Sequence, residues 1–551
     1  MQLVTTVIEN FIKRLNMLKT YELFEQAKKE VSENNLNLAI DYFEKCLKDE
    51  NFVISSSFEL AKIYFEQQNY EKVISFLQKV IKAPTIKSEM LNEAYMMLLK
   101  VSKFQNNKSQ RFDLLSDILK FDTKDYFVHE VYDITNIFYS QHLNLYEYAG
   151  DIKELYKWFN IIKHFLPQNS KDLLNLVRIS NFLGEYEFTK EILFDNVLMK
   201  EEKVLYYKNA LLNEFEVAQG KVLLQSHPRC FWISLSNKCN LNCFMCRTHE
   251  QKEWFLDKED IEYIYSCFPY LEYIVWWGGE PTIINGFKEI LLDSLKYSNI
   301  KHRIITNGQY LSDELVDIIL QHDIEVVFSI DYIDKEEYEK VRKGANFDLL
   351  INNIKKLSGR IKKELLKMNV VSTIQNQKNN DRMIDFARRY NFGNVNFIPI
   401  GGCGNAIKPA VEKDIIKKTS KENNLLVNNA IEIFNDERKV DNDDKKDSKN
   451  IEIKKENCEV ENQKKDGSEN LKESINNSVK FCNAPWQQLC IDYLKNISID
   501  PLCNNFYNLK VNLNDFKLRD VWNSKQMQEY RRHIMNIKKC HLDCPKFGEN
   551  K

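Results

Sequence analysis

Three things are scarce in this chain, and each scarcity narrows what it can be. Neither sign of charge is in excess: 78 Lys and Arg stand against 80 Asp and Glu, a formal net charge of -2 over 551 residues. Such a balance makes no global field to draw in nucleic acid or an anionic membrane surface, so neither is expected as a partner. Long apolar runs are missing too. Residues 1–21 carry charges among their apolar positions, and no run approaches the roughly 20 apolar residues a membrane span requires. The reading is a soluble, cytoplasmic protein. Evenly scattered cysteine is the third absence. The 13 cysteines, an odd number, leave long stretches bare and gather in a tight cluster near position 240 and a pair near the C-terminus. That distribution excludes a small secreted disulfide scaffold and points to thiolate chemistry in a reducing compartment.

A chain this long calls for two or three compact units of roughly 100–250 residues each. Residues 1–222 read as all-helical, with apolar positions spaced by three and four. Laying Leu38-Ala39-Ile40-Asp41-Tyr42-Phe43 on Lys72-Val73-Ile74-Ser75-Phe76-Leu77 aligns Ala39 with Val73, Ile40 with Ile74 and Phe43 with Leu77. This period resembles that of tetratricopeptide repeats; a plain helical domain is the alternative. Over residues 228–435 the texture changes to β-branched and aromatic runs alternating with amphipathic helices. Strands are predicted at 231–235, 273–277, 303–306, 325–330, 369–374 and 395–400, with helices centred near Ile264, Leu292, Val316, Ile354 and Phe386. Six βα units with right-handed crossovers curl into an open, partial barrel whose loops after each strand form the working face. Residues 436–479, as in Asp443-Asp444-Lys445-Lys446-Asp447, have almost nothing to bury and read as a charged, disordered linker. It leads to a cysteine-bearing tail, 480–551.

Directly after the first predicted strand comes Cys239-Asn240-Leu241-Asn242-Cys243-Phe244-Met245-Cys246. Three close thiolates can hold an iron–sulfur cube and leave its fourth iron open. A zinc site is the competing reading, since His249 could complete a three-cysteine, one-histidine tetrahedron. The spacing after the first strand of a βα barrel resembles the radical S-adenosylmethionine (SAM) superfamily. That resemblance implies a TIM-like (β/α)6 partial barrel and a [4Fe-4S] cluster on Cys239, Cys243 and Cys246. It also implies that the open iron chelates SAM and that a 5′-deoxyadenosyl radical abstracts hydrogen from substrate. In this chain Met245 stands where the family commonly has an aromatic, with Phe244 one position earlier.

Further residues carry the same resemblance. Gly278-Gly279-Glu280-Pro281 ends the second strand: two glycines let backbone approach a ligand, and a carboxylate can accept from an ammonium. The segment looks like the family's GGEP motif, which implies contact with the SAM amino group. Ser329 and Asp331 end the fourth strand, and Arg342 lies in Arg342-Lys343-Gly344, a pattern similar to one whose Ser and Arg meet the cofactor's carboxylate or ribose. A hydroxyl and a forked guanidinium suit that task; a solvated helix residue is the bland reading of Arg342. Asn307, in Thr306-Asn307-Gly308, is a polar contact to cofactor or substrate, or part of a turn. Cys403, in Gly401-Gly402-Cys403-Gly404, lies on the reactive face as a hydrogen donor or substrate contact, with a structural cysteine the preferred reading.

The tail carries Cys482 before Ala484-Pro485-Trp486, then Cys503, Cys540 and Cys544. These four resemble the SPASM and twitch extensions of radical SAM enzymes, and their number matches the one-cluster twitch form. The resemblance implies a second, auxiliary [4Fe-4S] cluster on Cys482, Cys503, Cys540 and Cys544. Cys490 could replace one of them, and zinc is the alternative metal. The whole is read as an α/β enzyme with a tetratricopeptide-like helical domain in front and a cysteine-rich extension behind. An electron donor such as flavodoxin or ferredoxin is implied. The helical domain suggests a peptide or protein substrate; oxidation of a sugar or other small polyol, and a non-catalytic iron–sulfur scaffold, are the rival functions.

Overall fold

The structure, a computed structural model, describes residues 2–105, 107–121, 123–128, 152–246, 248, 251–373, 375–399, 426–429, 484–499, 509 and 511–536. They fall into two compact units, one within Met1–Phe138 and Gly150–Gln168, the other including Asn169–Lys551.

The first unit is helical among its described residues. Its first six helices are α1 (Gln2–Ser32), α2 (Leu36–Cys46), α3 (Val53–Glu66), α4 (Tyr70–Ile81), α5 (Ser88–Phe104) and α6 (Lys108–Ile118). Asn69 starts α4 and Asn107 starts α6, each accepting a backbone N–H of the first turn that would otherwise lack a partner. α1 packs on α2, α3 on α4 and α5 on α6. The residues that α2 buries are Ala39, Phe43 and Cys46, and those that α4 buries are Val73, Leu77 and Val80. Each pair shares one offset, so the sequence period is a packing period.

The second unit begins earlier than the helical texture of the sequence implies. Helices Ser170–Leu183 and Leu205–Ala218 cluster with the sheet rather than with α1–α6. Buried polar groups explain this. Arg229, just before the first strand, is held by Glu214, by Asn213 Oδ1 at 3.1 Å and by Glu272 Oε1 at 2.6 Å. Asn213 also donates to Ser226 Oγ and to Trp486 O. A buried charge without these partners would be costly, so helix, sheet and tail are fixed as one body.

The main sheet contains β1 (Cys230–Ser234), β3 (Tyr273–Trp277), β4 (Lys301–Thr306), β5 (Glu325–Ser329), β7 (Leu366–Ser372), β8 (Asn394–Pro399), β9 (Leu426–Asn429), β10 (Gln488–Ile491) and β11 (Ile497–Ser498). A two-residue ribbon joins β2 (Asn242–Cys243) to β6 (Arg342–Lys343). The sheet order is β11-β10-β1-β3-β4-β5-β7-β8-β9, parallel except for β11. The six predicted strands and the five helices fall where the alternation put them. The described part of the tail folds back onto the sheet, where β10 pairs with β1 and extends it.

Strand residues alternate between two faces. Phe231, Ile233, Ile274, Trp276, Ile304, Val326, Phe328, Met368, Val370, Val395 and Phe397 join the helices in one large core. The second face carries Trp232, Tyr273, Val275, Trp277 and Ile305 on one side. On the other, register sets Ser329 beside Asn369 and Asn369 beside Asn396, the last two joined by a 2.8 Å amide hydrogen bond. The same face is closed lower down by Glu325, which pairs with Arg303 and, at 3.0 Å, with Lys367. Because the strands other than β11 run parallel, their C-terminal ends share one edge.

Candidate functional site

The three cysteines occupy the loop after β1, at that edge. Cys246 N–H donates to Cys243 O at 3.0 Å, closing a turn. Asn237 fastens the loop's two ends: its Nδ2 donates to Lys252 O at 3.1 Å, and its Oδ1 accepts Trp254 N–H at 2.9 Å. Trp254 in turn donates from Nε1 to Tyr493 O, so the β10–β11 hairpin braces the loop. Sequence reasoning passed over Asn237 and Trp254; the cue was an Asn just ahead of the first thiol, a residue that bonds nearby backbone.

Gly278 and Gly279 are needed, though what they approach is the chain itself. A Cβ on Gly278 (φ +112°) would lie 2.0 Å from Ser234 Oγ, and one on Gly279 would lie 2.0 Å from Lys238 O. Gly279 and Glu280 donate their N–H groups to Ser236 O and Lys238 O, at 3.2 and 2.8 Å. The loop after β3 is therefore pressed on the strand that leads to Cys239. Pro281 opens a short 3-10 turn that ends the approach.

Glu280 is buried, and both carboxylate oxygens are occupied. Oε1 accepts from Thr306 Oγ1 at 2.8 Å and Thr282 Oγ1 at 2.7 Å, and Oε2 accepts Asn307 N–H at 2.7 Å. Burial raises its pKa, with these hydrogen bonds opposing. Asn307 donates to Asn240 Oδ1 at 2.9 Å and lies 3.8 Å from Cys239 Sγ. Glu280 and Asn307 thus bond each other, and Asn307 bonds the cysteine loop.

Asp331 and Arg342 form a buried pair, Nε to Oδ2 at 2.9 Å, with side-chain exposures of 1 % and 8 %. Asp331 Oδ1 accepts Val371 N–H at 2.8 Å. Arg342 is the strand partner of Cys243 across the small ribbon, so it is no solvated helix residue. Ser329 sits half-buried at the end of β5.

Burial pushes the Cys239 thiol up to about 11, with the Leu241 N–H, 3.4 Å from its sulfur, pulling the other way. Cys243 is also raised by burial and opposed by the Arg342 guanidinium. Cys246 Sγ and Thr248 Oγ1 are 3.1 Å apart. Among the described residues no three His, Cys, Asp or Glu side chains converge on a single ion. Three soft thiols in one loop suit the ligand set of an iron–sulfur cluster. His249, Cys403, Cys482, Cys503, Cys540, Cys544 and the 436–479 linker lie outside the described residues. Cys490 is buried in β10, in register with Trp232. No helix among the described residues is long and apolar enough to cross a membrane.

Residues 233–390 match the model of the Radical SAM superfamily, so the chain carries a radical SAM superfamily domain. Similar curated proteins include radical SAM cyclopropyl synthase TigE of Paramaledivibacter caminithermalis, 24% identical over 48% of this chain and 59% of its own length. A probable GTP 3',8-cyclase of Methanocaldococcus jannaschii is 28% identical over 29% of this chain and 55% of its own. Sporulation killing factor maturation protein SkfB of Bacillus subtilis is 28% identical over 35% and 48%. The chain thus spans about half the length of these relatives. Among solved structures, Streptococcus suis SuiB bound to S-adenosylmethionine is 17% identical, with a TM-score of 0.41 over 66% of this chain and 83% of SuiB.

Proposed function

We propose that this chain is a radical SAM enzyme that abstracts hydrogen from a peptide or protein substrate. The observation that carries the reading is the three-thiol loop at the C-terminal edge of a parallel sheet, inside the segment that matches the superfamily. Cys239, Cys243 and Cys246 would hold the four-iron cluster, and that cluster with SAM supplies a 5′-deoxyadenosyl radical. The chain's own work is to hold and orient. Asn237, Gly278, Gly279 and Glu280 keep the loop in one shape before any cofactor arrives. Trp232, Trp277 and Ile305 present an apolar wall on the second face, and Ser329, Asn369 and Asn396 present hydroxyl and amide groups that can bond a substrate backbone.

The peptide reading is supported by the repeating burial in α2 and α4, which suits a tetratricopeptide-like surface for gripping a chain, and by SkfB, whose name marks it as a maturation protein. The tail cysteines Cys482, Cys503, Cys540 and Cys544 are proposed to hold an auxiliary cluster, supported by the bracing of the cysteine loop by the β10–β11 hairpin. An electron donor of the flavodoxin or ferredoxin kind would serve the first cluster.

Anaerobic reconstitution tests the cofactors: about eight irons per chain are expected with both cubes and about four without the second, at four per cube. Reduced protein mixed with SAM should release 5′-deoxyadenosine. A protein that binds zinc at the loop and releases none is not this enzyme.

A further inference from the structure

Each thiol of the loop meets a polar group, and the groups are not alike. Cys239 has the Leu241 N–H at 3.4 Å and the Asn307 amide at 3.8 Å; Cys246 has the Thr248 hydroxyl at 3.1 Å. Both sets are neutral. Cys243 instead faces Arg342, its Cα partner in the β2–β6 ribbon, and Phe244 N–H donates to Val341 O at 2.9 Å, pinning the two segments side by side. Arg342 cannot swing away, because Asp331 holds its Nε and Nη2 at 2.9 and 2.8 Å and is itself held by Val371 N–H. A guanidinium this buried keeps its charge, and its field is screened little by water.

We propose that Arg342, aimed by Asp331, is a positioning residue that sets the reduction potential of the cluster held through Cys243, rather than a ligand of SAM. The inference rests on the cluster reading above. Reduction adds one electron to the bound cluster, and a fixed positive charge beside one of its thiolates favours the more negative, reduced form; hydrogen bonds and charge near the sulfurs are what tune such potentials. Removing the charge makes reduction harder. Removing the neighbouring negative charge makes it easier. The two substitutions therefore move the potential in opposite directions, which a purely structural role does not require.

The test is a mediator-poised redox titration with dithionite, followed by electron paramagnetic resonance on the full-length, anaerobically reconstituted protein with no SAM present. Arg342→Gln should shift the midpoint to more negative values, Arg342→Lys should restore most of the shift, and Asp331→Asn should move it to less negative values. Iron and sulfide are counted on each sample. An iron-replete Arg342→Gln protein with the wild-type midpoint overturns the proposal. Should that variant fail to fold, an iron-replete Asp331→Asn protein with an unchanged or more negative midpoint overturns it as well. Loss of iron from all three variants makes Arg342 a scaffold only and also overturns it. Wild-type protein that takes up no iron sinks the cluster reading itself, a result visible before any variant is made.

Discussion

Glu280 accepts the backbone N–H of Asn307 at 2.7 Å and so ties the loop after β3 to the loop after β4. Its other oxygen gathers the hydroxyls of Thr282 and Thr306. In Glu280→Ala these donors are left buried without an acceptor, at a cost of roughly 3–5 kcal/mol. Glu280→Gln should lose less, since its carbonyl can still accept the Asn307 N–H while its NH2 meets threonine hydroxyls that accept as well as donate. Urea unfolding of the cofactor-free protein checks this: both variants should lose stability with no SAM present, and wild-type stability would make Glu280 a ligand only.

Gly279 is where the loop after β3 presses hardest on the cysteine loop. A methyl group there meets the backbone of Asn237 and Lys238, which cannot move as a side-chain end can. Gly279→Ala should lower the iron bound per chain after reconstitution by half or more. Gly286→Ala, at φ +83° with nothing within 4 Å, costs only about 1 kcal/mol of backbone strain and should keep full iron. Equal iron in both would show that the two loops need not touch.

Much of the sheet was written in local pattern. Tyr273-Ile274-Val275-Trp276-Trp277 is β-branched and aromatic throughout, and its predicted and observed bounds coincide. β10 was not legible, because its partner β1 lies over 200 positions earlier in the chain, and a four-residue segment, Gln488-Leu489-Cys490-Ile491, does not announce a pairing at that range. The β2–β6 ribbon is only two residues long on each side, too short for any periodicity. Within the site, residue type pointed to Glu280 and Arg342 as polar groups with work to do. It could not say what consumes their hydrogen bonds, since Thr306 and Asp331 reach them through the fold.

Arg531 makes the docking of the tail measurable. It is fully buried and donates to three backbone carbonyls, Pro485 at 3.0 Å, Val222 at 2.8 Å and Trp522 at 2.9 Å, while its guanidinium lies over the Trp522 ring. Burial pulls its pKa down to about 9. Arg531→Ala orphans all three carbonyls and should cost roughly 3–5 kcal/mol. Because β10 covers the edge of β1, the variant should also become sensitive to proteolysis between residues 484 and 499 before the rest of the chain opens. Global unfolding with no early cleavage there would show that tail and sheet are not separable in this way.

His302 gives the second unit a pH dependence of defined sign. It is 4 % exposed, stacks on Trp276, and accepts the Trp276 Nε1–H on Nδ1 at 3.3 Å. That bond fixes the neutral tautomer with its proton on Nε2, which is buried without a partner among the described residues. Burial holds the pKa down to about 4, with His322 adding a little, against about 6.5 in an unfolded chain. Between those values the unfolded state binds more protons, so stability rises with pH across the interval. His302 therefore leaves stability intact above about pH 6.5 and subtracts from it as pH falls toward 4, by about 2 kcal/mol at pH 5. His302→Gln keeps an acceptor for Trp276 and cannot titrate. Urea midpoints measured at pH 7.5 and pH 5 should fall further for the wild type than for this variant; parallel declines would mean that His302 is charged, or solvated, in the folded protein.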